Sequence, residues 1–319
     1  MTKINKFVSR RLEIVFFGTP DYVLPILEVL HQTYRVLAVV TQPPKPVGRQ
    51  QKMTPSAVSL WAKEHHIPVL TSFTPLHISV KNEVGVLASY GRIIPRDVLE
   101  IFPRGIINVH PSLLPKYRGP SPVTAAIAAG ERETGVTIIK LDEEMDHGPI
   151  LAQFTEEIKP DDTTGSLRDR VFKKSAEVLA TILPDYLEGR VTPREQNHEQ
   201  ATYTKTIKKE HGSIPGKYLQ KVLNGEIIEE SFPIPFIKDS SLVPDSSFLE
   251  RFIRALDPWP GGWTNIKLTS YQVSKLARLK LLKAHVEGEK LVLDQVQLEG
   301  KNPVSWQQFV AGHPGYQFA

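Results

Sequence analysis

The feature that most constrains this chain is an alternation of two patterns through residues 12–190. Short apolar runs at residues 12–17, 36–41, 67–70, 84–88 and 106–109 have the length and β-branching of buried strands. Between them lie segments of helical period. Residues 18–21, Gly-Thr-Pro-Asp, read as a turn, with Thr19 as a cap and Pro20 at the first helical position, before a helix that carries Leu24, Leu27 and Leu30 inward. Residues 55–65 form the next amphipathic stretch. Buried strands joined through helical crossovers predict an α/β fold with a Rossmann-like parallel sheet. Ligands of such sheets gather at the carboxyl ends of the strands, where Gly18, Thr41, Tyr90 and His110 fall.

Two further strands are expected at residues 135–141 and 150–154, then a long helix at 167–187. Val171, Ala176, Leu179 and Leu183 are its core positions, and Pro184 is expected to end or kink it. Residues 193–206 are polar and aperiodic, as in a linker. Beyond them, helical patterns at 218–223 and 248–256 precede β-rich runs at 280–286 and 291–298, which predict a smaller sheet or OB-like barrel. Residues 232–245, rich in Pro and Ser, read as loop. The expected plan is a basic tail at 1–11, a catalytic domain at 12–190, a linker at 191–210 and a β-rich domain at 211–319.

With 319 residues, the chain has room for two cores. It has no cysteine, which excludes disulfides, thiolate nucleophiles and thiolate metal sites. No apolar run is long enough to span a bilayer, so no membrane role is expected. The first eleven residues hold Lys3, Lys6, Arg10 and Arg11 without the apolar core of a secretory signal. A net charge of +4 tilts toward a polyanionic partner without establishing one.

Chemistry concentrates at Asn108-Val109-His110-Pro111-Ser112-Leu113-Leu114-Pro115. Residues i and i+2 of a strand face one side, so Asn108 and His110 share a space. An amide donor beside an imidazole suits acyl transfer, which needs a proton acceptor and a donor for the developing oxyanion. A strand end whose polar groups cap neighbouring backbone would show the same spacing. The loop after it, through Arg118-Gly119-Pro120, offers fixed turns and exposed amides for a flat polar ring. The turn at 142–148 supplies four acids, Asp142, Glu143, Glu144 and Asp146, any of which could orient the imidazole.

Taken together, Asn108-x-His110, Ser112-Leu113-Leu114-Pro115 and Asp146-x-Gly148 resemble the signature of the 10-formyltetrahydrofolate-dependent formyltransferases. Residues 17–21, 41–49, 88–95 and 135–138 resemble further blocks of that family. Residues 203–205 and 253–260 resemble the C-terminal domain of the branch whose acceptor is methionine esterified to initiator tRNA. The resemblance implies no metal and a folate formyl donor. It also implies catalysis by His110 as proton acceptor, Asp146 as its orienting carboxylate and Asn108 as oxyanion donor. Ser112, Leu113, Leu114, Pro115, Tyr90, Gly91 and Ile93 would line the donor site, with core packing as the alternative for Leu113 and Leu114. Lys45, Arg49 and Lys52, in a proline-rich loop, would meet the tRNA acceptor end; a solvated mobile loop is the alternative. A cytoplasmic monomer is expected.

Two other functions fit the same signature: a formyltransferase for a sugar amine or other small amine, and a non-catalytic tRNA- or folate-binding protein. Trp259 and Trp263 suit either base stacking or core packing. The chain departs from the family pattern in two places. His147 and Pro149 stand where small or acidic residues are expected, so His147 is positioned to crowd the site or meet Asp146. An insertion, expected near 214–247, has no function legible in the sequence.

Overall fold

The computed structural model describes residues 12–48, 50–74, 84–270 and 273–319. The chain divides into two compact units. One takes residues up to Pro111, with Val136–Phe154 and Arg170–His198; the other takes Ser112–Gly135, Thr155–Asp169 and Glu199–Ala319.

The first unit is built on strands β1 (Glu13–Gly18), β2 (Arg35–Val40), the short hairpin β3 (Lys45–Val47) and β4 (Lys52–Thr54), then β5 (Val69–Leu70), β6 (Val84–Ala88), β7 (Ile106–His110), β8 (Glu133–Lys140) and β9 (Ile150–Glu157). Seven of these form one sheet in the order β5-β2-β1-β6-β7-β8-β9. The pairings from β5 to β7 are parallel, as expected from the helical crossovers. The β7–β8 pairing is antiparallel, so the sheet is mostly rather than wholly parallel. β8 starts at the His110 end, with His110 opposite Thr137 and Ile107 opposite Lys140. This register brings the β8–β9 turn, which opens the route to Asp146, back along β7. Every residue of β7 is buried.

Helix α1 (Leu24–Thr33) buries Ile26, Leu27 and Leu30, while Leu24 is half-buried. Its proline is Pro25, and the turn before it is a short 3-10 helix at Asp21–Val23. Thr19 does not cap it: its hydroxyl donates to the carbonyl of Tyr90 at 3.0 Å. Helix α2 (Ala57–Glu64) is capped by the Ser56 hydroxyl, which accepts from Ser59 N, and α3 (Arg96–Leu99) follows β6. After α4 (Pro122–Ala129) of the second unit comes the long helix α5 (Thr164–Leu187). It continues three residues beyond Pro184 rather than stopping there, and the Pro184 carbonyl accepts from Glu188 N.

The second unit packs α4 against α7 (Ser246–Ala255), which follows α6 (Gly216–Asn224). Residues 232–245 are mostly turn and irregular, as expected, with one short hairpin within them. β10 (Phe232–Pro233) and β11 (Ser241–Leu242) form a hairpin. Phe232, Ile234 and Phe236 alternate inward, and Phe232 and Phe236 lie 5.6 and 5.9 Å from the Phe252 ring. The expected insertion is thus an ordered helix and hairpin. A five-stranded antiparallel sheet completes the unit: β12 (Gly262–Ser270), β13 (Val273–Glu287), β14 (Lys290–Leu298), β15 (Val304–Ser305) and, after α8 (Trp306–Gly312), β16 (Tyr316–Phe318), in the order β15-β14-β13-β12-β16. Core packing does not hold for Trp259, which is 55% exposed. Trp263 is half-buried under the Arg278 guanidinium at 4.1 Å, and its indole N–H donates to the Lys209 carbonyl.

Candidate active site

Strand alternation does place Asn108 and His110 on one face of β7, and both are buried, at 6% and 4% exposure. A polar pair this deep in a sheet needs partners. One carboxylate supplies them. Asn108 Nδ2 donates to Oδ1 of Asp146 at 3.1 Å, and His110 Nδ1 lies 3.5 Å from Oδ2. The spacing is that of an imidazole held in one orientation by a carboxylate.

Asp146 reaches this position through the shape of its turn. Its φ is +50°, in the left-handed region. Lys140 N donates to Pro149 O and closes the turn at its base. Gly148 is required by space: a Cβ there would stand 1.9 Å from the Lys140 carbonyl oxygen. The acids that could not be distinguished in the sequence have separate partners. Asp142 Oδ2 meets His147 Nδ1 at 2.6 Å, and its Oδ1 accepts from Glu144 N. Glu143 pairs with Arg96 at 3.3 Å. His147 therefore leans on Asp142, not Asp146, and its ring stacks on His198 at 3.9 Å.

Gln196 gave no sign of itself in the sequence. It lies in the segment read as linker, yet it is 5% exposed. Its Nε2 donates to the carbonyls of Asp146 at 2.9 Å and Gly148 at 2.8 Å. A lone glutamine in a polar, aperiodic stretch has no periodic signal by which to be found.

Beyond β6, the carbonyl of Tyr90 accepts from Thr19 and from Gln42 Nε2, which also donates to Gly91 O. Gly91, at φ +77°, has room for this only without a side chain: a Cβ would lie 2.5 Å from Gln42 Nε2. The Tyr90 ring is fully buried edge-on against Phe17, and its hydroxyl has no hydrogen-bond partner among the described residues. Ile93 is 79% exposed and lines a cavity of about 720 Å³ with Phe73, Arg92 and Asp97. None of Asn108, His110 and Asp146 lines that cavity.

Ser112, Leu113, Leu114 and Pro115 belong to the second unit. The Ser112 hydroxyl donates to Lys116 O at 2.7 Å, Leu114 is buried, and Leu113 and Pro115 are half-buried. The amides expected to be exposed just beyond are engaged: Tyr117 N donates to Thr202 Oγ1 and Arg118 N to Thr202 O.

The basic loop of the sequence is the β3–β4 hairpin. Lys45 pairs with Thr54 and Val47 with Lys52, so Lys45 and Lys52 lie on one face, both exposed. Lys45 Nζ also donates to Gln42 Oε1. Arg49 lies outside the described residues. No helix among the described residues is long and apolar enough to cross a membrane.

Residues 12–183 match the family model described as formyl transferase. The chain is 37% identical to methionyl-tRNA formyltransferase of Chloroflexus aurantiacus, across 94% of this chain and 97% of that one. It is 36% identical to the enzyme of the same name from Thermus thermophilus, across 91% and 86%. Among solved structures it is similar in fold to an N-formyltransferase from Helicobacter canadensis, with a TM-score of 0.60 at 17% identity over 92% of this chain and 98% of that one. It is also similar in fold to methionyl-tRNA formyltransferase from Clostridium thermocellum, with a TM-score of 0.52 at 17% identity over 90% and 98%.

Proposed function

The chain belongs to the methionyl-tRNA formyltransferases, and from that premise we propose that Asn108, His110 and Asp146 catalyse direct transfer of the formyl group from 10-formyltetrahydrofolate to the α-amine of methionine on initiator tRNA. The observation behind the assignment is the Asp146 carboxylate, one oxygen on Asn108 and the other near His110. The amine attacks the formyl carbon. His110 accepts the proton that the amine loses, on a ring oriented by Asp146, and Asn108 donates to the oxygen of the tetrahedral adduct. Collapse of the adduct breaks the bond to the folate nitrogen, which takes the proton held on His110 and leaves as the neutral amine. No covalent enzyme intermediate is needed.

Donor contacts are assigned to Tyr90, Gly91 and Ile93 on the loop after β6, and to Ser112, Leu113, Leu114 and Pro115 directly after His110. Support for the first set is the buried, unpartnered Tyr90 hydroxyl and the exposed Ile93. Lys45, Lys52 and Arg49 are assigned to phosphates of the acceptor arm. In the second unit, the exposed Lys267, Lys280 and Lys283 of β12 and β13 suit the same polyanion. The protein works as a monomer in the cytoplasm, where aminoacyl-tRNA is made.

Identity above one third over nearly the whole chain favours the tRNA acceptor over a sugar amine, since likeness of fold at 17% identity is shared by both kinds of enzyme. The assay supplies 10-formyltetrahydrofolate with methionyl initiator tRNA or with a nucleotide amino sugar. Formyl-methionyl-tRNA alone is expected, and His110→Ala or Asp146→Ala lowers kcat by roughly 10²–10⁴-fold. Product only from the amino sugar, or wild-type turnover in those variants, overturns the reading.

A further inference from the structure

The segment after α5 holds the Asp146 turn from beneath. Ile150 N donates to Arg194 O at 2.7 Å and Arg194 N to Ile150 O at 2.9 Å, which pins the segment beside the start of β9. Two residues on, the buried Gln196 spends both N–H bonds of its amide on the carbonyls that flank His147. Two residues further, His198 stacks on the His147 ring at an interplanar angle of 7°. Asp146, His147 and Gly148 are thus each gripped by residues 196–198.

The grip matters because Asp146 sits at φ +50°, a conformation that a non-glycine residue keeps only when its surroundings enforce it. Gly148 directs its carbonyl into a buried space and Asp146 into a part-buried one, where an unpaired carbonyl is disfavoured. A single amide satisfies both. Loss of that amide takes a donor from each carbonyl, and the turn relieves this by rotating the peptides that aim the carboxylate.

We infer that Gln196 is a positioning residue for catalysis: it fixes the Asp146 carboxylate at Asn108 and His110 through the backbone of the turn. The inference rests on the assignment of Asp146 as the partner of His110.

Gln196→Met removes both donors at nearly constant volume. The expected result is a fall in kcat of about tenfold or more with KM for both substrates within about twofold, the pattern of an interaction needed for chemistry and not for binding. Gln196→Asn, which keeps an amide one methylene shorter, recovers part of the loss. In an Asp146→Ala background, Gln196→Met costs nothing further in kcat, because the group it aims is gone.

Melting temperatures are measured beside the kinetics, and Gln196→Asn carries the test alone if Gln196→Met does not fold. A crippled Asp146→Ala beside a folded Gln196→Met that keeps kcat within about twofold overturns this inference only. Wild-type turnover in Asp146→Ala overturns the active-site reading and this inference with it. Equal losses in kcat in both backgrounds would reduce Gln196 to a structural residue and overturn the inference.

Discussion

Asn108 donates to Asp146 at 3.1 Å, so the amide assigned to the oxyanion is already tied to the carboxylate assigned to the imidazole. One N–H of the amide is used there, and the second has no partner among the described residues. The bond to Asp146 sets the orientation of the amide before substrate arrives, so its second donor needs no reorganisation as charge develops. Loss of one oxyanion donor typically costs roughly 2.7–4 kcal/mol of barrier, about 10²–10³ in kcat. Asn108→Ala is expected in that range with little change in KM. Asn108→Asp is expected to be slower still, because it sets a second carboxylate against Asp146. Single-turnover formylation rates check both.

Lys45 and Lys52 share one face of the β3–β4 hairpin, which makes their contribution distinguishable from chemistry. If each neutralises one phosphate, each alanine variant lowers the magnitude of the slope of log(kcat/KM) against log salt by about one. The tRNA KM rises several-fold at moderate salt, and kcat at saturating tRNA stays near wild type. Lys45→Ala has a second consequence, since Lys45 Nζ is bonded to Gln42, which holds Tyr90 and Gly91. The KM for the donor should therefore rise in Lys45→Ala and not in Lys52→Ala. Initial-rate series at varied salt and donor concentration separate the two effects.

Most of the first unit was legible because its signal is one-dimensional. Strands β1, β2, β6 and β7 are runs of buried apolar residues, and the i, i+2 spacing of Asn108 and His110 predicts a shared face that the fold bears out. Asp146 was not separable from Asp142, Glu143 and Glu144 by type or spacing. The choice depends on a left-handed residue and on a glycine with no space for a Cβ, both properties of the turn in three dimensions. Gln196 was hidden because its role is set by a backbone pairing between Arg194 and Ile150, remote in sequence. The two-residue strands of the 232–242 hairpin carry no signal of their own, because prolines interrupt a period-two pattern whose Phe232, Ile234 and Phe236 are all buried.

His211 gives the second unit a dependence on pH. Burial lowers its pKa from the ordinary histidine value, against a smaller opposing effect of Glu210, and Lys208 and Lys205 lower it further. Its Nδ1 accepts from Lys208 N at 3.2 Å, a bond that requires an unprotonated nitrogen. The unfolded chain therefore binds this proton at a higher pH than the folded chain does. Stability is full above the unfolded value, about 6.5. It declines as pH falls from there through the lowered folded value, and then levels. His211→Gln removes this contribution. Thermal melts at about pH 7.5 and about pH 5 are expected to show a smaller acid-side decrease in Tm for the variant than for wild type.

Gly148 sits where the turn passes closest to β8. An added methyl would meet the Lys140 carbonyl oxygen at 1.9 Å and its carbon at 3.1 Å, both backbone atoms that cannot swing away. Gly148→Ala must therefore displace the turn or the end of β8. Displacement of the turn moves the Gly148 carbonyl off Gln196 and Asp146 off Asn108 and His110. The expected outcome is a loss in kcat comparable to that of Asp146→Ala. Stability should fall by roughly 1–3 kcal/mol, the usual range for overpacking at a tight site. Gly189→Ala, where nothing lies within 4 Å of the added methyl but φ is +72°, is the control for backbone strain alone. It should lower stability and leave kcat intact. A Gly148→Ala enzyme with wild-type kcat would show that Asp146 need not be held as the turn holds it.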